Sequence, residues 1–359
     1  MKIKCKYYDE DAFITEFESC KDILLLSANI QSLSSKFSGL CDFIHQLRLK
    51  NVAFDVVALQ EIWSLPDPDK FIIPGYQRIL FKTRKNYRGG GVGFFIKNGL
   101  KAKVIDDLSL FNEKIFESIC IQVEFSPNKK VNFISLYRPP GNHDSLTINQ
   151  QIEHFFEAYE ELLVNIGNTE TYICTDSNID LLKVNSCSFS KKYFESTISE
   201  GFINLISKAT RFSSNHFSLI DQIITNADKN DFSSGVLIHD ISDHFFTFNR
   251  LNLSKKTPKL KPKLTRSFSD LKIQTFNNNL SNLMWTDVLS SSTPEEAWNY
   301  FWNEFSDLFE LHFPPKLSVP NKNFNKIQGF MTNGLLTSRR RKLMLYSEYI
   351  LNRSPENLI

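Results

Sequence analysis

Several things are missing from this 359-residue sequence, and each absence narrows its function. The six cysteines (Cys5, Cys20, Cys41, Cys120, Cys174, Cys187) include no CxxC pair and no regular spacing. That argues against a zinc site and a disulfide framework, and for a reducing, intracellular setting. No stretch approaches the 18 or so apolar residues that a membrane span needs, and the first twenty residues contain no leader-like apolar run. A soluble chain without membrane partners is therefore expected. Internal repeats and low-complexity tracts are also lacking, which excludes solenoids and tethers.

Charge of one sign is scarce overall, with 42 Lys+Arg against 40 Asp+Glu. The balance shifts along the chain. Residues 255–359 hold 15 basic against 9 acidic residues, leaving 27 against 31 before them. An acidic front suits a site for cations, and a basic tail tolerates polyanions. The sequence is 42% hydrophobic and holds 32 Phe, ample material for a packed core.

From Ile23 to about Leu253, short apolar runs alternate with polar breaks. Ile23–Ala28, Val56–Gln60, Val92–Lys97, Ser118–Val123, Val131–Tyr137, Thr171–Thr175, Asp221–Thr225, Gly235–His239 and Phe245–Leu251 read as strands. Helical spacing marks Phe37–Lys50 and Asn149–Ile166, and more weakly Lys191–Ser199. So many strands with so few helices do not fit a doubly wound parallel sheet; two packed sheets with helices outside is the simpler solution. The expected organisation is an N-terminal extension (1–22), a main domain (23–253), a basic linker (254–267) and a helical segment (268–359). That last segment contains no group of residues that looks catalytic.

Acids, amides and one histidine recur where these strands end. Asn29, Glu61, Tyr137, Asp176 with Asn178, Asp221, and Asp243 with His244 all occupy such positions. Each has an ordinary reading alone: a turn residue, a strand exit, an N-cap. Jointly they supply what phosphodiester hydrolysis requires. Glu61 with Asn29, and Asp243 as a further candidate, offer oxygen ligands for a hard cation such as Mg²⁺. Asp176 and Asn178 can align a water and take its proton. His244, oriented by Asp221, can donate to the developing charge, and Tyr137 can add a hydroxyl to a phosphate oxygen.

The strings SANIQSL, LQEIW, SLYRPP, TDSNID, ATR, LIDQIITN and ISDHFF, in this order over residues 23–253, resemble the endonuclease/exonuclease/phosphatase superfamily. The resemblance implies a four-layer α/β sandwich: two packed mixed sheets flanked by helices, with the site at one rim. It also implies Asn29, Glu61 and Asp243 at the metal (Mg²⁺, with Mn²⁺ as substitute), Tyr137 at a phosphate, Asp176 and Asn178 at the water, and Asp221 paired with His244. RGGGVGFFIKN at Arg88–Asn98, YRPPG at Tyr137–Gly141 and the tail FPPK…GFMTNGLLTSRRRKLMLY resemble the endonuclease of non-LTR (LINE-like) retrotransposons and the connector before their reverse transcriptase. From that likeness the expectations are a nuclear DNA endonuclease whose nick leaves a 3′-hydroxyl for target-primed reverse transcription, element RNA as a second partner of the basic tail, and a chain that stops short of the reverse transcriptase. Two readings compete. One is a phosphatase or phosphodiesterase acting on lipid, inositol phosphate or RNA; the other is a decayed domain that binds nucleic acid without turnover. The oligomeric state is not legible. The family's Gly-Asp-Phe-Asn is Thr175-Asp176-Ser177-Asn178 here, from which reduced activity or a shifted loop is expected.

Overall fold

A computed structural model describes the chain except residues 1, 86, 142–145, 213–215, 229–230, 254–262, 319–332 and 353–359. In chain order the first elements are β1 (Lys2–Tyr8), α1 (Glu10–Phe17), β2 (Ile23–Asn29), α2 (Leu33–Leu49), β3 (Val56–Gln60), β4 (Leu80–Lys82) and β5 (Val92–Ile96). Then come β6 (Lys101–Val104), β7 (Phe111–Asn112), β8 (Phe116–Ser126), β9 (Lys129–Tyr137), α3 (Ile148–Ile166), β10 (Thr171–Asp176) and α4 (Ser188–Ser199). The main domain continues with β11 (Ile203–Asn204), β12 (Arg211–Phe212), β13 (Phe217–Ser218), β14 (Asp221–Thr225), β15 (Asp231–Leu237) and β16 (Phe246–Leu251).

Two mixed sheets result, ordered β1-β15-β16-β2-β3-β5-β4 and β11-β14-β10-β9-β8-β6. Period-2 alternation gives each central strand two apolar faces, because each sheet is covered on both sides. Leu25, Ala58, Phe94, Ile121, Phe133 and Ile223 meet between the sheets. On the outer face of the first sheet, Leu24, Leu26 and Val57 pack on Phe13 and Phe17 of α1 and Leu40, Ile44 and Leu47 of α2. Beyond the second sheet, Ile134, Ile173 and Ile224 pack on Phe155, Phe156 and Tyr159 of α3 and Tyr193 of α4. The order helix, sheet, sheet, helix is the four-layer α/β sandwich. The α3 helix starts on a capping box between Thr147 and Gln150, which satisfies otherwise orphaned N–H groups.

The stretch read as an N-terminal extension differs from that expectation. Lys2–Tyr8 pairs in parallel with β15 at the edge of the first sheet, and Phe13 and Phe17 are buried. Its alternating KIKCKYY pattern carries three lysines, which hides a strand with one solvated face. Two compact units are present: residues 1–256 with 327–359, and residues 257–326. The second unit holds α5 (Asp270–Ser281), α6 (Thr286–Ser290) and α7 (Pro294–His312), with β17 (Lys263–Thr265) antiparallel to β18 (Lys316–Ser318). The α8 helix (Asn333–Asn352) groups with the first unit, where Leu343 is buried and Tyr346 packs on Phe245. Most of the expected linker, residues 254–262, lies outside the described residues, as do 319–332 of the tail. Among the described residues, no helix is long and apolar enough to cross a membrane.

Candidate active site

The register of the second sheet assembles one row of polar residues. Glu117 on β8 lies opposite Tyr137 on β9, Tyr137 opposite Asp176 on β10, and Asp176 opposite Asp221 on β14. Directly paired residues share a face, so all four side chains point to the interior between the sheets at one rim. Across that interior, the first sheet ends β2 on Asn29 and β3 on Gln60, which are also register partners. Gln60 bolts the layers together: its Nε2 donates to Ser135 Oγ (3.0 Å) and to the Cys174 carbonyl (3.2 Å).

Asn29 joins the two sheets' contributions. Its Nδ2 donates to Glu61 Oε1 and to Asp176 Oδ2, both at 2.8 Å, while its Oδ1 accepts the Gln31 backbone N–H at 3.1 Å. Glu61 Oε2 accepts from the Trp63 indole (3.3 Å). His244 Nδ1 lies 3.0 Å from both Asp221 oxygens, and the Thr210 hydroxyl donates to Asp221 Oδ2 at 2.6 Å. Asn178 donates its backbone N–H to Asp176 Oδ1 (3.1 Å) and its Nδ2 to the Arg138 carbonyl (2.8 Å). Seven of the eight sequence-chosen residues thus form one constellation. Asp243 stands at its margin: its Oδ2 is gripped by Arg211 at 2.8 and 3.1 Å, and its Oδ1 is 4.0 Å from His244 Nε2.

Burial and charge set the protonation of this cluster. Burial foremost, then the Asp221 charge, pushes the Asp176 carboxyl up to about 7, against the pull of His244 and Asn29. Burial tends to lower His244, but the charge and hydrogen bond of Asp221 outweigh it and push the imidazole up to about 9. Burial and the neighbouring Glu61 and Asp176 push the Tyr137 phenol far above its usual range. At neutral pH His244 is therefore a cation and a hydrogen-bond donor, and the Asp176 carboxyl is held well above the usual carboxylate range.

The backbone at the rim is strained. Of seven non-glycine residues with positive φ among the described residues, five follow β2, β3 or β10: Gln31, Ser32, Glu61, Trp63 and Asn178. Such conformations persist where surrounding contacts over-determine them, and they cluster at functional sites.

Sequence reasoning left out several residues that the fold recruits. Glu117, buried at the end of the polar row, pairs with Arg84 (2.5 Å) and accepts the Gly91 N–H (2.6 Å), so a buried ion pair pins the Gly-rich hairpin. Trp63 lies beneath Arg88, whose guanidinium is 5.6 Å from the ring centroid, and Trp63 N–H donates to the Gly90 carbonyl. Thr210 and Arg211 had a signal, the ATR string; Arg84 and Glu117 had none, because a lone Arg and a lone Glu on strands read as solvated. A cavity of about 210 Å³ on the outer side of the second sheet is lined by apolar residues of α4 and β11 and includes none of these groups.

A sequence model of the Endonuclease/Exonuclease/phosphatase family matches residues 26–170. No curated protein matches the chain. Among solved structures, the endonuclease domain of TRAS1, a telomere-specific non-LTR retrotransposon, is similar at 16% identity and a TM-score of 0.50, covering 65% of this chain and 100% of that one. An AP endonuclease from Archaeoglobus fulgidus (14% identity, TM-score 0.48) and the 3′ phosphatase NExo from Neisseria (17%, 0.47) each cover 64% of this chain and 100% of their own. Residues 26–170 thus resemble the Endonuclease/Exonuclease/phosphatase family, and the four-layer fold is like that of the solved structures above.

Proposed function

We propose that the chain is a divalent-metal-dependent phosphodiester hydrolase that nicks DNA. The observation that carries the reading is the cluster of Glu61, Asn29, Asp176, Asp221 and His244 from both sheets: hydrogen bonds of 2.8 Å join Glu61, Asn29 and Asp176, one of 3.0 Å joins Asp221 and His244, and Asp176 and Asp221 are cross-strand partners. The donor set suits a hard cation. Glu61 and Asp176 offer carboxylate oxygens on either side of the Asn29 amide, and an Asp221 oxygen lies within 4.8 Å of Asp176. Glu61 and Asp176 would hold the ion, Asn29 would join after turning its oxygen inward, and Asp243 would join on leaving Arg211. When bound, the ion would neutralise charge that builds on the phosphate oxygens.

The chain's own groups supply the rest. Asp176, which ion binding would deprotonate, takes the proton of the attacking water. Asn178 holds that carboxylate by its backbone N–H. Protonated His244, fixed through Nδ1 by Asp221, directs Nε2 to a phosphate oxygen, and Tyr137 offers a second donor. Water oxygen bonds to phosphorus as the P–O3′ bond breaks, and the leaving O3′ takes a proton from solvent water, so the product is a 3′-hydroxyl end opposite a 5′-phosphate. Exposed Arg88 over Trp63 beside Glu61 supplies a cation and an aromatic face for a nucleic-acid strand, which favours DNA over small phosphoesters. A retrotransposon nick that primes reverse transcription is the biological role we attach to this chemistry.

The test is plasmid nicking with Mg²⁺ by the wild type, Asp176→Ala and His244→Ala. The wild type should nick at least about 10²-fold faster than either variant. Equal rates for all three overturn the catalytic reading.

A further inference from the structure

The layer directly behind the acid pair is polar where the fold calls for apolar packing. Thr175 and Gln222 are cross-strand partners, one step from the Asp176–Asp221 pair. Alternation turns them to the helix side, with Ile173 and Ile224, under α3 and α4. Ser177 follows on the same side, at the position where the superfamily string carries Phe. All three are fully buried. Buried polar groups are tolerated where they are hydrogen-bonded, and two of these three are.

The Ser177 hydroxyl donates to Gln222 Oε1 (3.0 Å) and accepts the Ile179 N–H (3.2 Å). Gln222 Nε2 donates to the carbonyls of Leu219 (3.0 Å) and Ile179 (3.4 Å). The Tyr193 hydroxyl of α4 donates to the same Oε1 at 3.5 Å. Tyr193 is itself held: Thr197 Oγ1 donates to its carbonyl (2.7 Å) and meets the Tyr159 hydroxyl (2.8 Å). One carboxamide therefore grips the chain just after Asn178 and just before Asp221, the two segments that carry the proposed chemistry. Thr175 Oγ1 is buried and, among the described residues, makes no hydrogen bond of good geometry.

We infer that Gln222, with Ser177 and Tyr193, is a positioning clamp that replaces the apolar anchor of the family string and holds Asn178 against Asp176. Asn178 tolerates its left-handed φ of 49° as few non-glycine residues do, and the clamp fixes the chain immediately on either side of it. In this chain Ser177 is a compensated departure, not a defect. The inference rests on the nuclease reading above.

The experiment compares kcat, KM and the thermal midpoint of the 359-residue chain with those of Gln222→Met, Ser177→Ala, Ser177→Thr, Tyr193→Phe, Thr175→Val and Asp176→Ala, all in Mg²⁺-dependent nicking well below the melting range. Gln222→Met keeps length but loses both ends of the clamp, and a loosened Asn178 should lower kcat about 10²-fold with KM within about twofold. Ser177→Ala should fall in the same direction, Ser177→Thr, which keeps the donor, should retain kcat, and Thr175→Val should change nothing. The double variant Ser177→Ala/Gln222→Met should match the worse single variant, since both break one network. If Gln222→Met does not fold, Ser177→Ala and Tyr193→Phe, each lacking one oxygen, carry the test. An active wild type whose Gln222→Met, Ser177→Ala and Tyr193→Phe variants keep kcat while melting earlier overturns the clamp alone. A wild type no faster than Asp176→Ala overturns the nuclease reading and the clamp with it.

Discussion

Replacing Asp221 by Asn separates the charge of this carboxylate from its shape. The substitution keeps an oxygen for the Thr210 hydroxyl and for His244 Nδ1 but removes the negative charge that outweighs burial of the imidazole. His244 is 2% exposed, so solvent screens little of that interaction. Its pKa stands at about 9 against an ordinary 6.5, a difference equivalent to about 3 kcal/mol of preference for the protonated form. A histidine whose folded pKa is raised contributes stability that is fully present below its unfolded pKa and disappears as pH climbs through the folded value. The contribution should therefore be complete at pH 6, decline between about 6.5 and 9, and be absent at pH 10. Asp221→Asn should cost about 3 kcal/mol of unfolding free energy at pH 6 and nothing at pH 10, where the wild type carries a buried carboxylate beside a neutral imidazole. Denaturant unfolding of both proteins at the two pH values measures this, and proton-detected titration of His244 gives the pKa directly. A destabilisation of equal size at pH 6 and pH 10 would refute the electrostatic account and leave Asp221 a packing residue.

Two further outcomes follow from the same geometry. Arg84→Met leaves Glu117 buried without its cation and releases the hairpin that carries Gly91, so stability should fall by roughly 3–5 kcal/mol in denaturant unfolding; a loss under about 1 kcal/mol would show that the pair holds nothing. Because burial and Asp221 hold the Asp176 carboxyl up at about 7, Mg²⁺ binding at pH 6 should release close to one proton, and apparent affinity should weaken about tenfold per pH unit below 7. Calorimetry in buffers of different ionisation enthalpy reads the proton count, and binding heats that do not depend on buffer would contradict it.

How much of this was legible beforehand differs by element. The runs at Val56–Gln60 and Asp221–Thr225 were readable to the residue, because β-branched and apolar side chains bounded by acids or turns have few other uses. Helix α3 was readable from its 3.6-residue apolar period. Strand β1 was not, because lysines alternating through KIKCKYY mask an edge strand of the first sheet. Seven of the eight candidate residues meet at one rim, whereas Asp243 turns to Arg211, a partner 32 positions away that the backbone bridge between Arg211 and His244 brings near.

Two kinds of information separate here. The sequence alone determined which chemistry is available: carboxylates, amides and a histidine at strand ends are a local pattern, readable because polar residues interrupt apolar runs. Only the tertiary structure decided what those groups are. The cross-strand register aligns Glu117, Tyr137, Asp176 and Asp221 in one row and puts Asn29 between two carboxylates from different sheets. The pKa values of Asp176 and His244 belong to that assembly, because burial and a facing charge arise only when distant segments meet. The Ser177–Gln222–Tyr193 network has the same origin. Nothing in a lone Ser, Gln or Tyr marks it as a partner of the others until two strands and a helix close over all three.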